Sequence, residues 1–158
     1  MIKVKSKTVG GEKLRAHLRQ VNAKRKSVGD SPYVEVGFFE TAKYQNGVPV
    51  AAVAAWNEFG VSQEAKKILG AIPSRPFFRE AIRNNKDKVK KILADADVLA
   101  DKNVLEKVGE HMKGEITKSI VSGDWAPNAP YTVEEKGSSK PLIDTGLLRQ
   151  SVHYEVRK

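Results

Sequence analysis

The chain has 158 residues, 40% of them hydrophobic, which is enough for one domain with a packed core. It has no cysteine, and this excludes disulfides, a zinc site with cysteine ligands and a thiol nucleophile. The formal net charge is +9, and residues 1–30 carry most of it, because nine Lys or Arg side chains stand there against two acidic ones. Such a basic segment is compatible with binding to nucleic acid or to an acidic protein surface, and also with a face that is simply solvated.

Membrane targeting is not indicated by the sequence. No apolar run approaches the roughly 20 residues that a membrane-spanning helix needs, and residues 1–5 do not resemble a signal peptide. We therefore expect a cytoplasmic protein that makes no contact with a membrane.

The first third of the chain predicts two strands with a basic helix between them. Residues 2–9 alternate hydrophobic or hydroxyl side chains with lysines, which is typical of a half-buried strand at a sheet edge. Residues 33–39 predict a second strand, and Asn46-Gly47 predicts a turn in the loop that follows it. The helical stripe between the strands comprises Leu14, Leu18 and Val21, and one face of the second strand comprises Val34, Val36 and Phe38.

An alanine-rich stretch and a proline elbow occupy the middle of the chain. Residues 50–59 predict a helix that Gly60 ends. After a connection with no clear period, Pro73 and Pro76 hold the backbone extended. Pro76 then suits the first position of a long amphipathic helix that ends near Asp95.

The last third predicts another helix, a long loop and a closing strand. Asp101 is placed to cap a helix that extends to Val121. Residues 122–141 are polar and punctuated by proline and glycine, so we expect a long flexible loop that becomes ordered on assembly. A short helical turn precedes a closing strand near residues 151–157. The stripe of the helix comprises Val104, Leu105, Val108, Met112, Ile116 and Ile120.

Together these elements predict an α+β fold in a single domain over residues 1–158. Three strands, near 2–9, 33–39 and 151–157, form a small antiparallel or mixed sheet that packs with about four helices. A terminal strand either completes this sheet or pairs with a neighbouring subunit.

The sequence carries no motif for bond chemistry. The three histidines lack the His-Glu-x-x-His spacing of a metal site, and Gly137–Lys140 lacks the full phosphate-loop pattern. His111 and Glu115 lie four apart on one helix, a spacing that fits a solvated pair. No nucleophile elbow is present. We expect no catalytic residues, no metal site and no cofactor, and therefore not an enzyme.

Three motifs in a fixed order resemble those of a known family. With them, the chain resembles the tail-completion, or neck (head–tail joining), proteins of long-tailed bacteriophages and prophages, over about residues 33–156. The motifs are Trp56-Asn57-Glu58-Phe59-Gly60, then Ile72-Pro73-Ser74-Arg75-Pro76-Phe77-Phe78-Arg79, then Trp125-Ala126-Pro127-Asn128 followed by Lys140-Pro141-Leu142-Ile143-Asp144-Thr145-Gly146-Leu147-Leu148-Arg149-Gln150-Ser151.

This resemblance implies a non-enzymatic protein of virion morphogenesis. Such a protein joins head to tail, or completes the tail, by docking on phage tail or neck proteins as a homo-oligomeric ring. It is found in the host cytoplasm during assembly and then in the tail or neck of the virion. The state of the isolated chain, monomer or ring, stays open.

The motifs supply the candidate interface residues. Arg75 and Arg79 are placed to bind carboxylates of a neighbour, Glu58 being one candidate; alternatively, Arg75 pairs with Glu58 in the same chain. Phe77 and Phe78 are either anchors for a partner or part of the protomer's own core. Trp125 is either an anchor or a lid over the core. The full set is Asn57, Glu58, Phe59, Arg75, Phe77, Phe78, Arg79, Trp125, Asp144 and Thr145.

The basic N-terminal segment is the candidate for contact with DNA. In a ring, Lys24, Arg25 and Lys26 would face the DNA channel and touch the phosphate backbone without sequence specificity. The alternative is a stand-alone basic module that binds nucleic acid by itself. Against it, no aromatic side chains alternate with the basic residues of 1–30 to stack on single strands.

Overall fold

Five helices and a two-stranded antiparallel sheet make up the part of the chain that the structure, a computed structural model, describes. This part comprises residues 32–39, 42–61, 72–94 and 102–157, together with single helical positions at Ala16, Arg19 and Ala23. The elements, in chain order, are β1 (Tyr33–Phe38), α1 (Val50–Phe59), α2 (Phe77–Ala94), α3 (Lys102–Ser122), α4 (Pro130–Lys136), α5 (Leu147–Gln150) and β2 (Val152–Arg157). The predicted α+β fold is confirmed. The predicted strand at 2–9, the connection at 62–71 and the basic residues 24–26 lie outside the described residues.

The sheet joins two segments that are distant in the sequence. β1 and β2 pair antiparallel, with Val36 opposite Tyr154 and Phe38 opposite Val152. Along β2, buried or half-buried side chains alternate with exposed ones, as the period-2 pattern of the sequence predicts. One face of the sheet therefore packs on the core and the other faces water.

Helix α3 is the central element of the fold, because it packs against α2, both strands and α5. Its predicted apolar stripe is confirmed, since all six of its residues are buried. At Gly109 the helix lies so close to β2 that any added side chain would collide with the Tyr154 ring. The core around α3 consists of Val50, Ala54, Phe77, Ala81, Ile116, Ile120, Leu142, Leu148 and Val152.

Helices α2 and α3 run antiparallel and share polar contacts as well as the core. The Ser119 hydroxyl donates to the Phe77 carbonyl at 2.9 Å. Farther along, Asn85 contacts Nε2 of His111 at 3.1 Å and donates to Glu115 at 3.3 Å. The pair of His111 and Glu115 is therefore bridged by an amide from the neighbouring helix.

The prediction of a flexible loop over residues 122–141 is wrong for seven of its residues, which form α4. Pro130 occupies the first turn, where its missing N–H costs nothing, and Gly137 ends the helix with φ 61°. No residue of α4 is buried, so its sequence has no apolar stripe by which the helix could be recognised. The other boundaries differ little from prediction; α2, for example, begins at Phe77, one residue after Pro76.

Candidate functional site

The proline elbow, residues 72–76, lies against the C-terminal end of α1. The Arg75 N–H donates to the Asn57 carbonyl at 2.6 Å, and the Ser74 hydroxyl donates to the Glu58 carbonyl at 2.9 Å. Val61 N–H donates to the Ile72 carbonyl at 3.0 Å. Two of these bonds satisfy carbonyls in the last turn of α1, and the third joins the residue after Gly60 to the elbow, so the first two motifs are held together.

Glu58 connects the end of α1 to the beginning of α2. Its side chain is buried, and its carboxylate accepts the N–H groups of Phe78 and Arg79, at 2.9 and 3.2 Å, from the first turn of α2. The same carboxylate accepts Nε of Arg79 at 2.7 Å. A carboxylate at the N-terminus of a helix accepts hydrogen bonds from N–H groups that have no partner within the helix. Its negative charge also interacts favourably with the positive end of the helix dipole. Glu58 therefore caps a helix other than its own.

Arg79 is the partner of Glu58, and it remains half-exposed. Its Nη2 also donates to the Glu58 carbonyl at 3.0 Å, and its guanidinium lies 5.1 Å from the centre of the Phe59 ring. The structure thus pairs Glu58 with Arg79 of the same chain, whereas the sequence suggested this pairing for Arg75. The Glu58 carboxylate is likewise occupied by donors of its own chain.

Arg75 connects the second motif to both of the others. The side chain is only 4% exposed. Its Nη1 donates to Oδ1 of Asn57 at 2.7 Å, and its Nε donates to the Ala126 carbonyl at 2.8 Å. Its Nη2 donates to the Pro127 carbonyl and to Oδ1 of Asn128, at 3.1 and 3.2 Å. All these acceptors are neutral, so Arg75 does not pair with Glu58, and burial lowers its pKa.

The two phenylalanines differ in their environment. Phe77 is 1% exposed and meets the Phe38 ring edge to face at a centroid distance of 6.1 Å. Phe78 is half-buried and packs against the same core near Gly37. The structure thus places both within the protomer, which is the second of the two interpretations stated for them.

Trp125 covers the core of its own chain. Its ring packs against the hydrophobic cluster, and its Nε1 donates to the Ser119 carbonyl at 2.9 Å near the end of α3. Of the two alternatives for Trp125, an anchor for a partner or a lid over the core, the structure shows the lid over the core. The segment after α3 is therefore fixed at Trp125 and again at the Arg75 contacts.

Asp144 and Thr145 lie at the start of α5. The Thr145 hydroxyl accepts the Leu147 N–H at 3.3 Å, which is a local contact in the turn that precedes α5. Gly146 follows with φ 81°, a conformation that favours glycine. Both residues before it are exposed, so they are accessible to a partner as well.

A cleft of about 460 Å³ opens between α1 and α4, beside the buried Arg75. Its walls combine apolar side chains with a few polar and charged ones, which is typical of a binding cleft. Three of the predicted residues, Asn57, Arg75 and Asp144, line it. Trp56 belongs to the first motif and Asn128 to the third, although neither was a candidate interface residue, and Tyr44, Thr132 and Lys136 lie outside all three motifs.

The charged groups of the cleft influence one another. Burial raises the pKa of the Tyr44 hydroxyl, and the negative charge of Asp144 raises it further. Burial lowers the pKa of the Lys136 ammonium; Asp144 opposes this shift and Arg75 adds to it. Lys136 donates to the Lys140 carbonyl at 3.2 Å. The cleft thus contains two cations and one carboxylate.

Neither a metal-binding cluster nor a membrane-spanning helix is found among the described residues. They contain no group of three His, Asp or Glu side chains that could hold a metal ion. Among the described helices, none has the length and apolar character that crossing a membrane requires.

A comparison of the sequence with protein-family models finds no match, and neither do comparisons with curated proteins and with solved structures.

Proposed function

We propose that this chain is a non-enzymatic virion morphogenesis protein of a long-tailed bacteriophage or prophage. It joins head to tail, or completes the tail, by docking on tail or neck proteins as a homo-oligomeric ring. Its place is the host cytoplasm during assembly and the tail or neck of the virion afterwards.

The observation that supports this proposal is that the three resembling motifs form one hydrogen-bonded unit. Arg75 of the second motif donates to Asn57 of the first and to Asn128 of the third, and Ser74 of the second donates to the Glu58 carbonyl of the first, although long stretches of sequence separate the motifs. The motif residues thus share a structural role. They hold the corner, which is the junction of the end of α1 with the elbow and the beginning of α2, and they hold the segment before α4 against it. A family that shares these motifs would share this corner.

The cleft between α1 and α4 is the surface where we place docking in this proposal. Phe77, Glu58 and Arg75 are buried in the protomer and support the corner, whereas the cleft beside them is open to a segment of a partner. Trp56 supplies an aromatic side chain for such contact, and Lys136 supplies a charge.

Deletion of the gene from a phage or prophage that carries it tests the proposal. We expect free heads and free or unfinished tails in electron micrographs of the lysate, and joined particles when the gene is supplied in trans. Normal numbers of infectious particles without the gene would refute a role in assembly.

A pair of charge reversals tests the docking surface in the same assay. Lys136→Glu changes the cleft, and Lys107→Glu makes the same charge change on the exposed side of α3. We expect the first variant to rescue joined particles poorly and the second to rescue them fully, with both folded by circular dichroism. Equal rescue would remove the cleft from the proposal.

A further inference from the structure

Helix α2 carries a row of basic side chains along an exposed face. The helix contains six Lys or Arg and two acidic residues. Four of the basic residues follow one another at intervals of four, three and four, which places them within about 60° of arc on an α-helix. We call them the basic row: Arg79, Arg83, Lys86 and Lys90.

The basic row points away from the core. Ala81, which is turned about 200° from Arg79 around the helix axis, is buried in the core. All four side chains of the row are exposed, with exposed fractions of 72% for Arg83 and 65% for Lys90. The four positive charges are therefore accessible to solvent and to a binding partner.

Three of the four cations of the row have an acidic neighbour, but two of these pairs lie on the exposed surface of the helix. Arg83 pairs with Glu80 at 3.2 Å, and Lys90 lies 3.9 Å from Asp87. Both are exposed pairs three residues apart on one helix, and such pairs contribute little and exchange readily with other partners. Arg79 alone is held firmly, by the buried Glu58.

From these observations we infer that the basic row binds the phosphate backbone of duplex DNA. The row spans about 16 Å along the helix axis, a length over which one strand of a duplex presents about five phosphates. A straight row of cations therefore matches a linear polyanion, and the contact needs no particular sequence.

The composition of the row favours duplex DNA over an acidic protein or a single strand. Protein interfaces are centred on large apolar anchors, and the row itself contains none. Single strands are bound by stacking on aromatic rings, which the row also lacks. Duplex phosphates require only positive charge at the right spacing, and this is what α2 supplies.

This inference does not depend on the proposed function, because it concerns binding by the isolated chain. It moves the DNA contact from residues 24–26, where the sequence placed it, to α2. In an assembled particle, the same surface would hold the DNA that passes the protein.

The test measures binding of the full-length chain to a fluorescent duplex of mixed sequence, by anisotropy over a range of salt concentrations. The row variant carries Arg83→Gln, Lys86→Gln and Lys90→Gln; Arg79 is kept because it supports the corner with Glu58. A control variant with the same loss of charge carries Lys88→Gln, Lys91→Gln and Lys107→Gln, all exposed and outside the row.

We expect the row variant to lose at least about tenfold in affinity at low salt, and its salt slope to fall by about two to three. The control variant should bind within about twofold of the unchanged chain, since nonspecific attraction by net charge alone is weaker than direct contact. Circular dichroism checks that both variants are folded.

Three results would overturn the inference. The first is equal weakening in both variants, which would indicate net charge alone. The second is loss of binding only when Lys24, Arg25 and Lys26 are replaced, which would return the contact to the N-terminal segment. The third is equal or tighter binding to polyglutamate or to the single strand than to the duplex, which would indicate an acidic protein or single-stranded partner.

Discussion

Arg75 shows how one side chain connects three distant segments. A guanidinium has five N–H groups in a fixed planar fork, and here four hydrogen bonds reach Asn57 on one side and residues 126–128 on the other. Lysine has the same charge but no fork, and it could not reach both sides at once. The position therefore depends on geometry more than on charge.

Replacement of Arg75 by methionine should destabilise the protein by about 3 kcal/mol, because several buried acceptors lose their donor together. Arg75→Lys should recover only part of this loss. Urea unfolding followed by circular dichroism measures both. Arg83→Met, on the exposed face of α2, is the control and should change the free energy of unfolding by less than about 0.5 kcal/mol. Similar values for Arg75→Met and Arg83→Met would contradict the role assigned to Arg75.

Asp144 acts on two titrating groups of the cleft in the same direction. It raises the pKa of Tyr44 and also opposes the lowering of the pKa of Lys136. Asp144→Asn should therefore lower both pKa values together. Titration by NMR, with labelled Tyr Cζ and Lys Cε, measures them, and Tyr131 and Lys91, which lie outside the cleft, serve as controls. A shift at only one of the two groups would show that Asp144 does not face both.

These pKa shifts also set the sign of the dependence of stability on pH. Folded Tyr44 holds its proton more tightly than an ordinary tyrosine, so its contribution to stability is lost as pH rises above 10.0. Folded Lys136 holds its proton less tightly, so its contribution is present above 10.5 and is lost as pH falls through the lowered pKa. Asp144→Asn should weaken the first effect and strengthen the second, as urea unfolding at several alkaline pH values would show.

At the scale of elements, the corner between α1 and α2 depends on Gly60 as well as on Glu58. Gly60 adopts φ 71° and ψ 173°, a conformation that is accessible almost only to glycine. A Cβ there would lie 3.0 Å from the Ser74 nitrogen and 3.1 Å from the Ile72 carbonyl oxygen, both of them main-chain atoms of the elbow. The end of α1 and the elbow therefore approach each other more closely than a side chain would allow.

Gly60→Ala and Gly47→Ala compare a glycine packed against the elbow with a glycine that has open space around it. Gly47 also has a positive φ, 79°, but a Cβ there would meet nothing within 4 Å. We expect Gly47→Ala to cost about 1 kcal/mol from strain and Gly60→Ala at least about 2 kcal/mol more, because main-chain atoms must move. Thermal unfolding by calorimetry measures the difference. Equal costs would mean that the elbow moves aside freely.

The helices and strands were predictable where packing leaves a period in the sequence. The Ala-rich helix has the predicted bounds, Val50–Phe59, and every residue of the α3 stripe is buried. The sequence did not reveal the partners of Arg75, because two of them are main-chain carbonyls, which every residue has. The alternative that paired Glu58 with Arg75 was wrong, because the Glu58 carboxylate accepts Arg79 instead. Helix α4, which buries nothing, left no period to find.

At the scale of the whole molecule, stability should be unevenly distributed. Helix α3 has a fully buried stripe at the centre of the fold, whereas α4 has no buried residue and depends on contacts at its ends. Hydrogen exchange followed by mass spectrometry should find the slowest amides in α3 and much faster exchange in α4. If the amides of α4 exchange as slowly as those of α3, then α4 is protected by contacts other than those described, and the expected difference in stability is wrong.

The pairing of β1 with β2 also has a consequence for synthesis. The two strands are separated by more than a hundred residues, and such distant pairing is slow because a long loop must close first. At ordinary rates of translation, β1 leaves the ribosome roughly ten seconds before β2 exists. Throughout that interval β1 lacks β2 and is exposed to pairing with other nascent chains. The yield of folded protein should therefore depend on how crowded its own polysomes are.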